Sequence, residues 1–188
     1  MNARHLVSCF LAVGGLALLI LTQGGCARSD AARFYLLTPI APAAPTTSPS
    51  GQVGLQVERL PDYLRRPELA TRRGPHEVTY DEFHRWASPL DESLPLVLAR
   101  NLARIKGVPL VPLYPWSAAA KPERVIHVRI LRFDADATGK VILTACVGID
   151  GNWREEAIDV QAPSNQPNDI VPAQSEALAE LARRIAAL

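Results

Sequence analysis

Leu6 to Leu21 is an uncharged, almost unbroken apolar run, and Gly24-Gly25-Cys26 closes it. This stretch decides which residues are available to fold. A spanning helix wants about 20 apolar residues, and this run is shorter and sits at the very start of the chain. A positive n-region (Arg4), an apolar h-region and small residues at its end form a secretory signal. Two glycines followed by cysteine are the pattern of a bacterial lipoprotein cleavage site. On that reading residues 1–25 are the signal, Cys26 becomes the first mature residue and carries lipid, and an uncleaved anchor helix is the competing account. Gln23 stands where such sites usually have leucine. Leu6-Val7-Ser8-Cys9 fits the letters better, but no apolar segment precedes Cys9 to hold it at a membrane.

Removing 25 of the 188 residues leaves 163, enough for one domain with a sizeable core. Of the 20 basic and 19 acidic residues only Arg4 lies in the signal, so the mature chain is near neutral. It has no general attraction to nucleic acid or to an anionic surface. Cys9 leaves with the signal and Cys26 takes lipid. Cys146 then stands alone, without a partner for a disulfide, and reads as a small core residue. Residues 26–32 form a short tether. The step from Cys26 to the β-type run Arg33–Leu37 spans at most about 25 Å, which keeps the domain beside its membrane.

Residues 33–188 read as a single α/β domain with a Pro-rich loop at 38–52 (Pro39, Pro42, Pro45, Pro49). Alternating apolar residues predict strands at Val53–Glu58 and Arg124–Phe133. Leu60–Leu64 reads as a turn or one helical turn. Leu69–Arg72, Glu77–Tyr80 and Phe83–Ala87 read as short strands, the last two divided at Asp81-Glu82. Leu90–Lys106 is the first clear helix, with Leu90, Leu94, Val97, Leu98, Leu102 and Ile105 on one face and Gly107 as its stop. Pro95 either bends it or moves its start to Ser93. A short strand is expected within Val108–Tyr114 and a turn at Asp134–Gly139. Val141–Ile149 and Asn152–Val160 form a hairpin about Asp150-Gly151. Asn165–Asn168 is loop, and Val171–Leu188 is the closing helix, burying Leu178, Leu181, Ile185 and Leu188. This order fits a three-layer domain with a mixed β-sheet covered by helices.

Chemistry is sparse. His76, Glu77, Asp81, Glu82 and His84 are the densest set of potential metal ligands, yet no histidine pair stands at helical spacing, and solvated turn charges are the simpler account. No Gly-x-Ser-x-Gly elbow and no phosphate loop is present. Asp134 and Asp136 read as turn formers. Arg59, Arg65, Arg66, Arg72 and Arg73 contact either a partner or lipid headgroups, or pair with Glu58, Asp62 and Glu68.

Five motifs occur in order: Tyr35-Leu36, Leu60-Pro61-Asp62-Tyr63-Leu64-Arg65-Arg66-Pro67, Arg85-Trp86-Ala87-Ser88-Pro89-Leu90, Asn101-Leu102-Ala103 and Arg132-Phe133-Asp134. From Cys26 to Leu188 the chain resembles the ABC-type transport auxiliary lipoproteins, the paraquat-inducible protein C family. The resemblance implies a non-catalytic outer-membrane lipoprotein facing the periplasm, without cofactor or metal. It also implies an MCE-domain substrate-binding protein and its inner-membrane permease as partners in lipid transport between membranes. Homo-oligomers are a further possibility. Many relatives carry tryptophan near Cys146 and Val147, where this chain does not. Tyr63, Leu64, Arg65 and Arg66 are the candidate partner-binding residues, on a loop stiffened by Pro61 and Pro67, with Trp86 expected beneath them. The alternatives are a periplasmic scaffold or activator of an envelope assembly enzyme, and a metal-dependent hydrolase built on the His76–His84 segment. The short tether weighs against the scaffold.

Overall fold

The computed structural model describes residues 30–40, 53–118 and 121–188. The signal segment, Cys26 and most of the Pro-rich loop lie outside the described residues. Residues 32–188 form one compact unit. Its elements are β1 (Arg33–Tyr35), β2 (Val53–Val57), a 3-10 turn (Asp62–Leu64), β3 (Glu68–Arg72), β4 (Val78–Trp86), α1 (Leu90–Lys106), β5 (Arg124–Asp136), β6 (Lys140–Ile149), β7 (Asn152–Gln161) and α2 (Pro167–Ala186).

One mixed seven-stranded sheet runs β1-β4-β3-β5-β6-β7, and β2 also pairs with β5. β5 is the long central strand. β2 lies parallel to its first half, Val53 opposite Arg124 and Val57 opposite Val128. β3 lies parallel to its last residues, Thr71 opposite Ala135. The antiparallel hairpin β6–β7 turns at Asp150 (φ 51°) and Gly151 (φ 83°), the left-handed pair that a tight hairpin needs. Helices α1 and α2 pack against each other, α2 also on β5, β6 and β7, and α1 on β2. The core is the layer between: Leu55, Leu94, Leu98, Leu102, Phe133, Leu143, Leu178 and Leu181 are all buried within it. Each such side chain contributes about 1.5–3 kcal/mol by leaving water.

Several expectations change. β4 runs unbroken through Asp81-Glu82, because β1 closes on its other edge at His84–Trp86 and the Asp81 carboxylate accepts the Phe83 N–H at 3.0 Å. Val108–Tyr114 is not a strand. Pro109 and Pro112 have no N–H to pair, and a single bridge joins Leu113 to Leu55. α1 begins at Leu90 with Pro95 inside it, and α2 begins at Pro167, four residues earlier than its periodicity indicates. Pro167 suits the first helical position, where an N–H has no partner anyway. Leu188 lies past the end of α2 and is exposed. Cys146 is half-buried on the side opposite Ala145 and Val147, not in the core. Asp134 is in β5 rather than a turn, and it is 0% exposed.

Candidate functional site

Asp134 organises the site. A β-bulge between Ile130 and Arg132 reverses the strand's alternation, so Phe133 and Ala135 enter the core and Asp134 points to the other face. A carboxylate fully removed from water must be paired, and three side chains do this. Arg72 donates from Nε to Oδ1 and Oδ2 at 3.3 and 3.2 Å and from Nη2 to Oδ2 at 3.0 Å. Arg132 donates from Nε to Oδ1 at 2.9 Å. The Tyr63 hydroxyl donates to Oδ2 at 2.8 Å and accepts the Phe133 N–H at 3.4 Å. Burial, and then the negative charge of Asp134, push the Tyr63 phenol up to about 12. Arg72's own hydrogen bonds to Asp134 raise its guanidinium above the usual arginine range.

These bonds fasten the segment 60–67 as a ledge over that face of the sheet. Leu60 and Leu64 anchor it in the core. Arg72 lies over the Tyr63 ring at 5.6 Å and Arg66 over the Tyr80 ring at 4.3 Å, while the Tyr80 hydroxyl donates to the Tyr63 carbonyl at 3.3 Å. At the outer surface Arg59 and Arg65 pair with Asp62 at 3.0 and 3.2 Å, Arg65 also with Asp91 at 3.4 Å, and Arg66 with Glu68 at 3.3 Å. The arginines therefore make the ion pairs with Asp62 and Glu68 that the sequence allowed. Glu58 instead takes Arg129 at 2.6 Å.

The five candidate residues divide. Leu64 and Trp86 are buried and present no side chain to a partner, because the chain needs their apolar area for the core. The Trp86 N–H bonds the Pro67 carbonyl at 2.7 Å, which pins the end of the ledge. Tyr63 is half-buried on Asp134. Arg65 and Arg66 stand in solvent, so the outward face of the ledge is charged. Both carboxylate oxygens of Asp134 already accept hydrogen bonds, Oδ1 from Arg72 and Arg132 and Oδ2 from Arg72 and Tyr63.

Elsewhere, His76 and Glu77 are exposed in the β3–β4 turn, and His84 Nδ1 sits 2.8 Å from Asp81 Oδ2. Among the described residues no three His, Cys, Asp or Glu side chains converge as a metal site, and no helix is long and apolar enough to cross a membrane.

A family model for the ABC-type transport auxiliary lipoprotein component matches residues 35–186. The chain belongs to that family. No curated protein matches it. This auxiliary lipoprotein is similar in fold to two crystal structures. One, of an uncharacterized protein, aligns at 17% identity over 84% of this chain and 98% of that one, with a TM-score of 0.66. The other, of a protein from Xanthomonas campestris, aligns at 16% identity over 82% and 93%, with a TM-score of 0.64. Of the auxiliary lipoprotein's motifs, Leu60–Pro67 and Arg132–Asp134 are the two that meet in the Asp134 network. Sequence reasoning missed Asp134 and Arg72. The one available signal was an acidic residue ending an otherwise alternating strand.

Proposed function

We propose that this auxiliary lipoprotein is a non-catalytic outer-membrane subunit of an MCE-type lipid transport system. It is held by lipid on Cys26, faces the periplasm and works through protein contacts. Its partners are an MCE-domain substrate-binding protein with its inner-membrane permease, and further copies of itself. The contact is the 60–67 ledge, with Arg65 and Arg66 outermost, Tyr63 fixing the backbone, and Leu64 and Trp86 supporting it from the core.

The observation that carries this reading is the fixed geometry of the ledge. Its arginines are already oriented by ion pairs and a stacked tyrosine ring, so docking loses less side-chain entropy than free arginines would. Arginine and tyrosine also dominate many interface energetics. A near-neutral chain gains little from long-range steering and must rely on such local contacts.

The test is Arg65→Ala with Arg66→Ala in the full-length lipoprotein. Each exposed pair contributes about 0.2–1 kcal/mol, so the melt stays within a few degrees of wild type. Co-purification with the MCE-domain protein should fall about tenfold, the effect of one modest hot spot. Unchanged co-purification, with wild-type membrane attachment, would remove the ledge from the interface.

A further inference from the structure

A second surface is built from other residues. The outer side of α1, with Leu96, Ala99 and Ala103, faces the strap 107–113, and together with Pro39 they line a cleft of about 630 Å³. Its walls are fixed locally. Gly107 caps α1 in the left-handed conformation (φ 62°), and the Val108 N–H returns to the Ala103 carbonyl at 3.0 Å. At the far end the Leu55 N–H bonds the Pro112 carbonyl at 2.9 Å and the Tyr114 N–H bonds the Leu55 carbonyl at 3.0 Å. Pro109 and Pro112 restrict the strap between these anchors. Arg104 Nη1 donates to the Pro39 carbonyl at 2.6 Å and ties the third wall to α1.

The walls are apolar and the mouth is basic. Leu96 and Leu110 are 49% and 71% exposed, large aliphatic side chains left in water on opposite rims. Such exposed apolar area marks a binding surface when it borders a concavity. Arg100 and Arg104, one helical turn apart, line the same cleft, and among the described residues no carboxylate does. The size is that of a small-molecule site, about 300–1,000 Å³. An amphipathic helix would need a groove running on past both ends, and here hydrogen bonds close the strap at each end. Apolar walls beneath the exposed Arg100 guanidinium, which pairs with no carboxylate among the described residues, select a ligand with an aliphatic tail and an acidic head.

We propose that the cleft binds one acyl chain of an anionic amphiphile, with the acidic headgroup at Arg100. The inference does not depend on the ledge or on any protein partner.

The test uses the full-length protein in phosphatidylcholine nanodiscs and a palmitic acid carrying a diazirine in its chain. After photolysis the label should map to peptides within 94–114. Leu96→Asp with Leu110→Asp, both at exposed positions that the fold tolerates, should reduce labelling about tenfold, roughly the burial of part of one aliphatic side chain. Arg100→Ala should reduce it about threefold, the size of an exposed ion pair. The corresponding diazirine alcohol should label wild type no better than the acid labels Arg100→Ala. Label spread over the sheet face, equal labelling by acid and alcohol, or full labelling of the double variant would each overturn the proposal.

Discussion

Tyr63→Phe removes one oxygen atom from the network around Asp134 and leaves the ring in place. The atom lost donates to Oδ2 at 2.8 Å and accepts the Phe133 N–H at 3.4 Å. A hydrogen bond to a buried charged group contributes about 1.5–3 kcal/mol. Asp134 retains Arg72 and Arg132, so the loss should fall near the lower end, about 2 kcal/mol. In a domain of this size that lowers the melt by about 4–8 °C. The same phenol gives a pH signature. Its pKa is about 12 in the folded chain and near 10 when unfolded. The stabilisation from keeping it neutral is therefore complete below pH 10 and is lost as pH rises towards 12. Allowing for solvent screening of a partly exposed ring, this amounts to about 1 kcal/mol. Urea unfolding of wild type and Tyr63→Phe, followed by circular dichroism at pH 7, 9 and 11, reads both effects. The stability gap should be about 2 kcal/mol at pH 7 and narrower at pH 11. Equal midpoints at pH 7, or a gap that does not change with pH, would refute the placement of Tyr63 on Asp134.

Other perturbations give separate readouts. Gly148→Ala places a Cβ 2.6 Å from the Trp153 indole, so the ring should leave its cross-strand seat, with a red-shifted emission and a loss of about 1 kcal/mol. Gly139→Ala combines φ 83° with a Cβ 2.5 Å from the Ser164 carbonyl oxygen, and the melt should fall by about 4 °C or more as the 136–140 turn moves. Cys26→Ser should abolish metabolic labelling with palmitate, and labelling that persists would move the lipid to another residue.

Much of the fold follows from local pattern. The stripe Leu90, Leu94, Val97, Leu98 and Leu102 is buried as its 3.6-residue spacing requires, and Asp150-Gly151 makes the hairpin turn. The Asp134 network was illegible for a physical reason. The strand's alternation is interrupted at Leu131 by a bulge that exposed and apolar residues do not announce, and two of the carboxylate's three partners lie 62 and 71 residues away. Cys146 was misplaced because nearly every residue from Val141 to Val147 is apolar, so that run does not say which side is inside. In the segment 81–82, polar side chains resemble a turn until β1, an element far earlier in the chain, supplies the missing edge. The cleft beside α1 was hidden in the same way, since prolines that look like strand boundaries there make a rigid wall.

One edge of β5 receives both β2 and β3. The chain leaves that edge after Val57, forms the ledge, and returns to the same edge at Thr71. β3 can pair with β4 beforehand, but the contacts of β2 and β3 with β5 await residues 124–136, and contacts this distant in sequence form slowly. Within the first 120 residues the pairings available are β1–β4–β3 and the Leu55–Leu113 bridge, and α1 lacks the α2 helix that packs against it in the finished domain. A chain ordered in this way closes its core only once its last third has joined the sheet, so the finished domain is a late product of synthesis.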